Sequence, residues 1–203
     1  SAGNITAGSD NGLSLQTSQL YYISIRAVDA AGNTGSGVSS NGQYVLPTLS
    51  FGVSPGTVTF DNLNGANSYT NSKTTTLTTT TNGYGGYRAR SFVSGLLTGG
   101  GSTIADFPGT YAATRDWGAN TGFGFSTSDT DIAGFPLSGA CSGSGTAPCF
   151  AAFTQTKPGD VVASATGPVS NDSVTITYKV VANNTQKATN YTNTIIYSVT
   201  PMY

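Results

Sequence analysis

The chain has no histidine, and none of its nine acidic residues is glutamate; all nine are aspartate. Without histidine no Ser–His or Cys–His catalytic pair can form, and no imidazole is available to a zinc, haem or copper site. Without glutamate, a Glu-based glycosidase centre is excluded. Charge of either sign is scarce: charged residues make up 8% of the 203, against roughly 25% in an average globular protein. The net charge of −1 provides no basic stripe to displace counterions, which argues against nucleic acid as a partner. No apolar run approaches the 18 residues of a membrane-spanning helix. No signal peptide is visible at Ser1, so any export signal is expected upstream or already removed.

Three small residues fill the space: 32 Thr, 27 Gly and 24 Ser. The strong helix formers Glu, Lys and Arg are missing or rare. No segment keeps apolar spacing of three and four over ten residues. Thr, Val, Tyr, Phe and Ile dominate the ordered stretches and suit half-buried pleated surfaces. The fold class expected is all-β: an antiparallel β-sandwich, Ig-like or fibronectin-like, with long Gly/Thr/Ser-rich loops.

Two units are expected, residues 1–47 and 48–203, divided at Pro47. In the first, Tyr21, Ile25 and Ala27 read as a strand with one buried face, Asp29 to Asn33 as a turn, and Gly37 to Val45 as a second strand. In the second, Leu49/Phe51/Val53 and Val58/Phe60 alternate around a Ser54-Pro55-Gly56 turn. Thr74 to Thr81 reads as a strand with Thr on its wet face and Leu77 inward. Tyr84 to Val93 is strand-like, 95–121 is loop with short strands, Phe123 and Phe125 alternate, and 126–150 is a second long loop. Val174/Ile176/Tyr178/Val180 and Tyr191/Ile195/Tyr197/Val199 read as a final hairpin turning at Asn183-Asn184.

Leu15, Tyr21, Ile25 and Ala27, spaced L-x5-Y-x3-I-x-A and followed by V-D-A-A-G-N, resemble the C-terminal half of a fibronectin type III domain. The resemblance covers about a quarter of the chain and implies two strands joined by the Asp29–Asn33 turn. The family's first strands and core Trp do not occur here. Half a sandwich leaves an apolar face and unpaired backbone in water. Either the chain is a fragment of a longer protein or another surface completes it. In the second unit, L-S-F-G-V-S-P-G-T-V-T-F and the ending T-I-T-Y through Y-T-N-T-I-I-Y-S-V-T-P are loosely similar to bacterial envelope β-sandwich domains, WxL-like and spore-coat-U-like. The W-x-L motif itself is absent, since Trp117 is followed by Gly118-Ala119, so peptidoglycan binding does not carry over.

Cys141 and Cys149 bracket C-S-G-S-G-T-A-P-C. With no His and no third Cys, a local disulfide is the simplest arrangement, and it implies an oxidising, extracellular or cell-surface location. Asp129 and Asp131 are the one close carboxylate pair. On a strand, positions i and i+2 point to the same side and could hold Ca²⁺ with loop carbonyls; otherwise they form a solvated loop, and no cofactor is needed. Arg115, Trp117 and Tyr111, with Tyr84 and Tyr87, could make a sugar-stacking platform, although a lone Trp more often plugs a core end. Sequons stand at Asn4, Asn171, Asn183 and Asn190.

The function expected is that of a non-enzymatic extracellular structural protein of a surface layer, pilus or filament. Its partners are copies of itself or other surface proteins. The N-terminal segment is expected to exchange strands with a neighbouring subunit, with Tyr21, Ile25 and Val45 as inserted side chains. A carbohydrate-binding or adhesion module, and an accessory domain of a secreted enzyme, are the alternatives.

Overall fold

The computed structural model describes residues 12–203, apart from residues 14 and 18. The chain starts as a twisted hairpin. β1 (Leu20–Tyr21) pairs with β4 (Gln43–Tyr44), and β2 (Ser24–Ile25) with β3 (Val38–Ser39). β5 (Leu49–Ser54) then opens an antiparallel β-sandwich. It lies beside β6 (Thr70–Thr81), and between them a 3-10 turn at Gly65–Asn67 is capped by the Asn64 side chain. β7 (Tyr87–Val93) enters the second sheet, and β8 (Leu97–Gly99) and β9 (Ser102–Ile104) form a short side hairpin. β10 (Gly122–Thr127), β11 (Asp160–Ala165), β12 (Val169–Val181) and β13 (Ile195–Pro201) complete the chain. One sheet runs β10-β12-β6-β5 and the other β11-β7-β13.

Alternation builds the core, as the pleat requires. From the larger sheet, Leu77, Phe123, Phe125, Val174, Ile176, Tyr178 and Val180 are buried; from the smaller, Tyr87, Ala89, Val93, Val162 and Ala163. Loop residues Phe135 and Phe153 join them, Phe153 stacked on Phe125 and Phe135 tilted against it. Tyr178 and Tyr197 join the two sheets through hydroxyls 2.7 Å apart. Burial pushes the Tyr197 hydroxyl's pKa far up, and the neighbouring Tyr178 adds to it.

Several expectations are corrected. The last two strands are not a hairpin: β12 has β6 and β10 on its two edges, so β13 crosses over and pairs with β7 in the other sheet. Residues 57–60 are not a strand, although Val58 and Phe60 still pack on the core. β6 keeps Thr74, Thr76, Thr78 and Thr80 on its outer face and Leu77 inward, but not all its Thr residues are on the wet side. Thr75, Thr79 and Thr81 line the buried side with Leu77, where Thr75 donates to the Pro55 carbonyl and Thr81 to that of Thr48. β11 lies in D-V-V-A-S-A, a run too short and small-residued to stand out. The hairpin, finally, has no buried apolar face: every residue from 22 to 41 is exposed.

Candidate functional site

The hairpin's tip is set by Asp29. Its Oδ1 accepts from the amides of Ala31 and Asn33, and its Oδ2 from the Asn33 amide side chain. The Asn33 bond holds the Asp29 carboxyl below its usual pKa. Gly32 takes φ +87 there, a left-handed conformation that favours glycine. Pairing slips by one residue between Tyr21↔Gln43 and Ser24↔Ser39, and again before Val28↔Thr34. Each slip puts an extra residue on the return strand, which increases twist and breaks the ladder into short pieces. At the base, the Gln16 amide donates to the Tyr21 hydroxyl at 2.7 Å. The Tyr84 amide donates to the buried Thr17 hydroxyl at 2.7 Å, and the Thr48 amide to Asn82 Oδ1 at 2.6 Å.

Tyr22, Ile23, Ile25, Val28, Val38, Tyr44 and Leu46 are each at least 60% exposed. Of the three residues expected to insert into a neighbour, Ile25 is exposed, while Tyr21 and Val45 are half-buried. Arg26 and Asp29 are the charged residues between positions 19 and 46.

The sandwich treats its sheet edges unequally. The outer edge of β10 is taken by loop backbone. Phe123 donates to Ala105 and accepts from Phe107, and Phe125 exchanges two bonds with Ala151. The outer edge of β11 is met by side chains: Thr127 donates to the Val162 carbonyl, and Asp129 Oδ2 accepts from the Ser164 amide. These bonds also place β10 beside β11, closing that flank. β5 and β13 end their sheets on the opposite flank, and among the described residues no backbone group pairs with their outer sides.

Asp129 and Asp131 lie in the turn after β10, not on a strand. Asp129 is buried and its two oxygens accept from the amides of Asp131 and Ser164; Asp131 is exposed. Burial raises the Asp129 pKa against those two bonds. They border an open cleft of ≈ 240 Å³ that Asp172 also lines. Asp172 accepts from the Tyr87 hydroxyl at 2.6 Å. Among the described residues no group of three or more Asp or Cys side chains is arranged to hold a metal ion.

Trp117 is buried and presents no open ring face, which corrects the stacking-platform expectation. Phe107 stacks on it at 4.3 Å, Phe150 meets it edge-on at 5.1 Å, and the Lys179 ammonium sits 4.9 Å from its centroid. Its indole donates to the Asn120 carbonyl. Arg115 is exposed and pairs through its backbone with Phe150; Tyr111 leans on Phe135, and Tyr87 is in the core. The structure therefore scatters Arg115, Trp117 and Tyr111 over separate environments. Cys141 and Cys149 form a disulfide. Asn171, Asn183 and Asn190 are exposed; Asn4 lies outside the described residues. No helix among the described residues is long and apolar enough to cross a membrane.

Sequence reasoning overlooked the open β13 edge and the role of Asp129 as an edge cap. A signal for the first existed: residues 188–203 contain no charged residue. No family model, curated protein or solved structure matches the chain.

Proposed function

We propose that this chain is a non-enzymatic, extracellular structural protein of a cell-surface layer, pilus or filament, and that its N-terminal hairpin is the contact it makes with copies of itself. The observation that carries this is the hairpin: an apolar two-stranded ribbon in water on both faces. Such a ribbon is marginal by itself, and its two faces leave seven large apolar side chains in water. The disulfide fits an oxidising compartment, and the low charge fits a packed scaffold. Negative-stain imaging of the native material tests it. Fibres or a lattice are expected; dispersed single particles would overturn it.

A specific bond favours a second function. The Gln16–Tyr21 contact matches the tyrosine corner of β-sandwich domains, in which a Tyr hydroxyl bonds backbone a few residues upstream. In that case the hairpin closes a fibronectin-type sandwich with strands from elsewhere in a longer secreted protein and serves as a spacer. The mass of the mature protein at its source separates the two: a chain much heavier than 20.6 kDa favours the spacer.

A further inference from the structure

The two sheets do not match in width. Counted from the closed flank, where β10 and β11 are joined by the Thr127–Val162 bond, the larger sheet has four strands and the smaller three. The smaller sheet therefore stops one strand short, at β13, and among the described residues no strand is left to face β5, although Val58, Phe60 and Leu63 from the segment after it pack on the core. The consequence is visible in burial. The inward rows of these strands, Leu49, Phe51 and Val53 on β5 and Ile195, Tyr197 and Val199 on β13, are half-buried, whereas the matching rows of β12 are fully buried.

The backbone of β13 faces the same gap. Ser94 donates to the Thr194 carbonyl and Met202 to that of Gly86. With the register Ile195↔Val93 to Pro201↔Tyr87, the even-numbered residues of β13 bond to β7. The amides of Ile195, Tyr197 and Val199 then point away from it. Pro201, which has no amide hydrogen, falls in that outward set, where a proline leaves the ladder intact. Natural sheets blunt free edges with charge, proline, bulges or covering segments. Among the described residues, β10 and β11 are covered, while β13 has Pro201 at its end and no covering segment over Ile195 to Val199.

We infer that the vacant position beside β13 and opposite β5 is filled by the N-terminal hairpin of a second copy. This rests on the assembly role proposed above and names its acceptor. Three observations point to that occupant. The hairpin holds large apolar side chains for a partner to cover, with Ile23, Ile25, Val38 and Leu46 each at least 69% exposed. Neither β5 nor β13 carries a charge, and the hairpin has one of each sign, so nothing repels an identical chain. The hairpin is already extended and paired, so it adds as a preformed strand unit through main-chain bonds, with alternate side chains facing β5. Donor and acceptor are different surfaces of one chain. The contact is heterologous and repeats into an open row instead of closing as a pair.

The experiment uses the full chain and two variants, with mass measured by light scattering after size exclusion over a range of concentrations. Val199→Pro blocks the outward edge of β13, and a paired Ser198→Lys, Thr200→Lys variant does so by charge if the proline impairs folding. Ile25→Asp with Val38→Asp disables the hairpin, whose residues support no core. Near-coincident melting curves control for folding. The parent chain is expected at multiples of 20.6 kDa that grow with concentration, and each variant alone at a single chain. Mixed, the two variants are expected to form a 1:1 complex, since each keeps the surface the other lacks. If the β13 variants still associate while the hairpin variant does not, the acceptor lies elsewhere and only this inference falls. If the parent stays a single chain at every concentration, the assembly role falls with it.

Discussion

Ser91 shows at the residue scale how this interior tolerates hydroxyls unevenly. Thr75 and Thr81 on β6 satisfy theirs on nearby carbonyls, but the Ser91 hydroxyl is buried without a partner. A buried, unmet hydroxyl costs free energy that a methyl does not. Ser91→Ala is expected to leave stability unchanged or to raise it by up to about 1 kcal/mol. Leu77→Ala and Ile176→Ala, which open cavities in the same core, are expected to cost about 2–5 kcal/mol each. Urea denaturation of the three variants checks both signs; a loss above 1 kcal/mol for Ser91→Ala would show that its hydroxyl finds a partner.

β10 is the element on which the long loops depend. In G-F-G-F the phenylalanines enter the core, and the glycines open the other face to a second aromatic cluster of Phe107, Trp117 and Phe150. A Cβ at Gly124 would stand 2.7 Å from the Ala151 carbonyl and 2.8 Å from Phe107 Cβ. Gly124→Val is therefore expected to push that cluster off the sheet, at about 1–3 kcal/mol, with a shift in Trp117 fluorescence towards the solvent-exposed wavelength. An unshifted spectrum would mean that the loops adjust in place. The Cys141–Cys149 bond closes a short loop at a sequence separation of 8, and chain entropy assigns such a loop roughly 2–3 kcal/mol. A Cys141→Ser, Cys149→Ser variant is expected to lose no more than that in denaturation and to keep the β-sheet circular dichroism of the parent, because both sheets close without the bridge.

The response of the whole molecule to pH follows from the buried Asp129 and the half-buried Asp106 and Asp160. Burial raises the carboxyls of Asp106, Asp129 and Asp160 above the ordinary aspartate value of 3.8. A group with a raised native value holds its proton more tightly folded than unfolded. Its favourable contribution is complete below 3.8 and is lost as pH climbs from there through the native value. Asp29 and Asp61 have lowered values and act in the opposite sense, but both stand in water, where screening keeps such effects small. With no histidine, no side chain of ordinary pKa titrates near neutrality. The melting temperature is therefore expected to be flat around neutral pH and to rise, not fall, as the solution is acidified towards 3.8. A monotonic fall on acidification would mean that the buried carboxylates are stabilised as anions.

Much of this was legible in the order of residues. The want of helix formers and the period-two rows at Leu49–Val53, Phe123–Phe125, Val174–Val180 and Ile195–Val199 declared a sheet protein, because alternation is a property of single strands. Cys141 and Cys149 declared their bond because no other thiol exists. Partnership between strands is a different matter, since it depends on which edges remain free after every other strand is placed. Only the tertiary structure separated β12 from β13 into opposite sheets, turned three threonines of β6 inward, buried Trp117 under Phe107 and Phe150, and left the hairpin and the β13 edge open. Each of these outcomes comes from long-range competition for backbone hydrogen bonds and apolar surface, which no local window of sequence records.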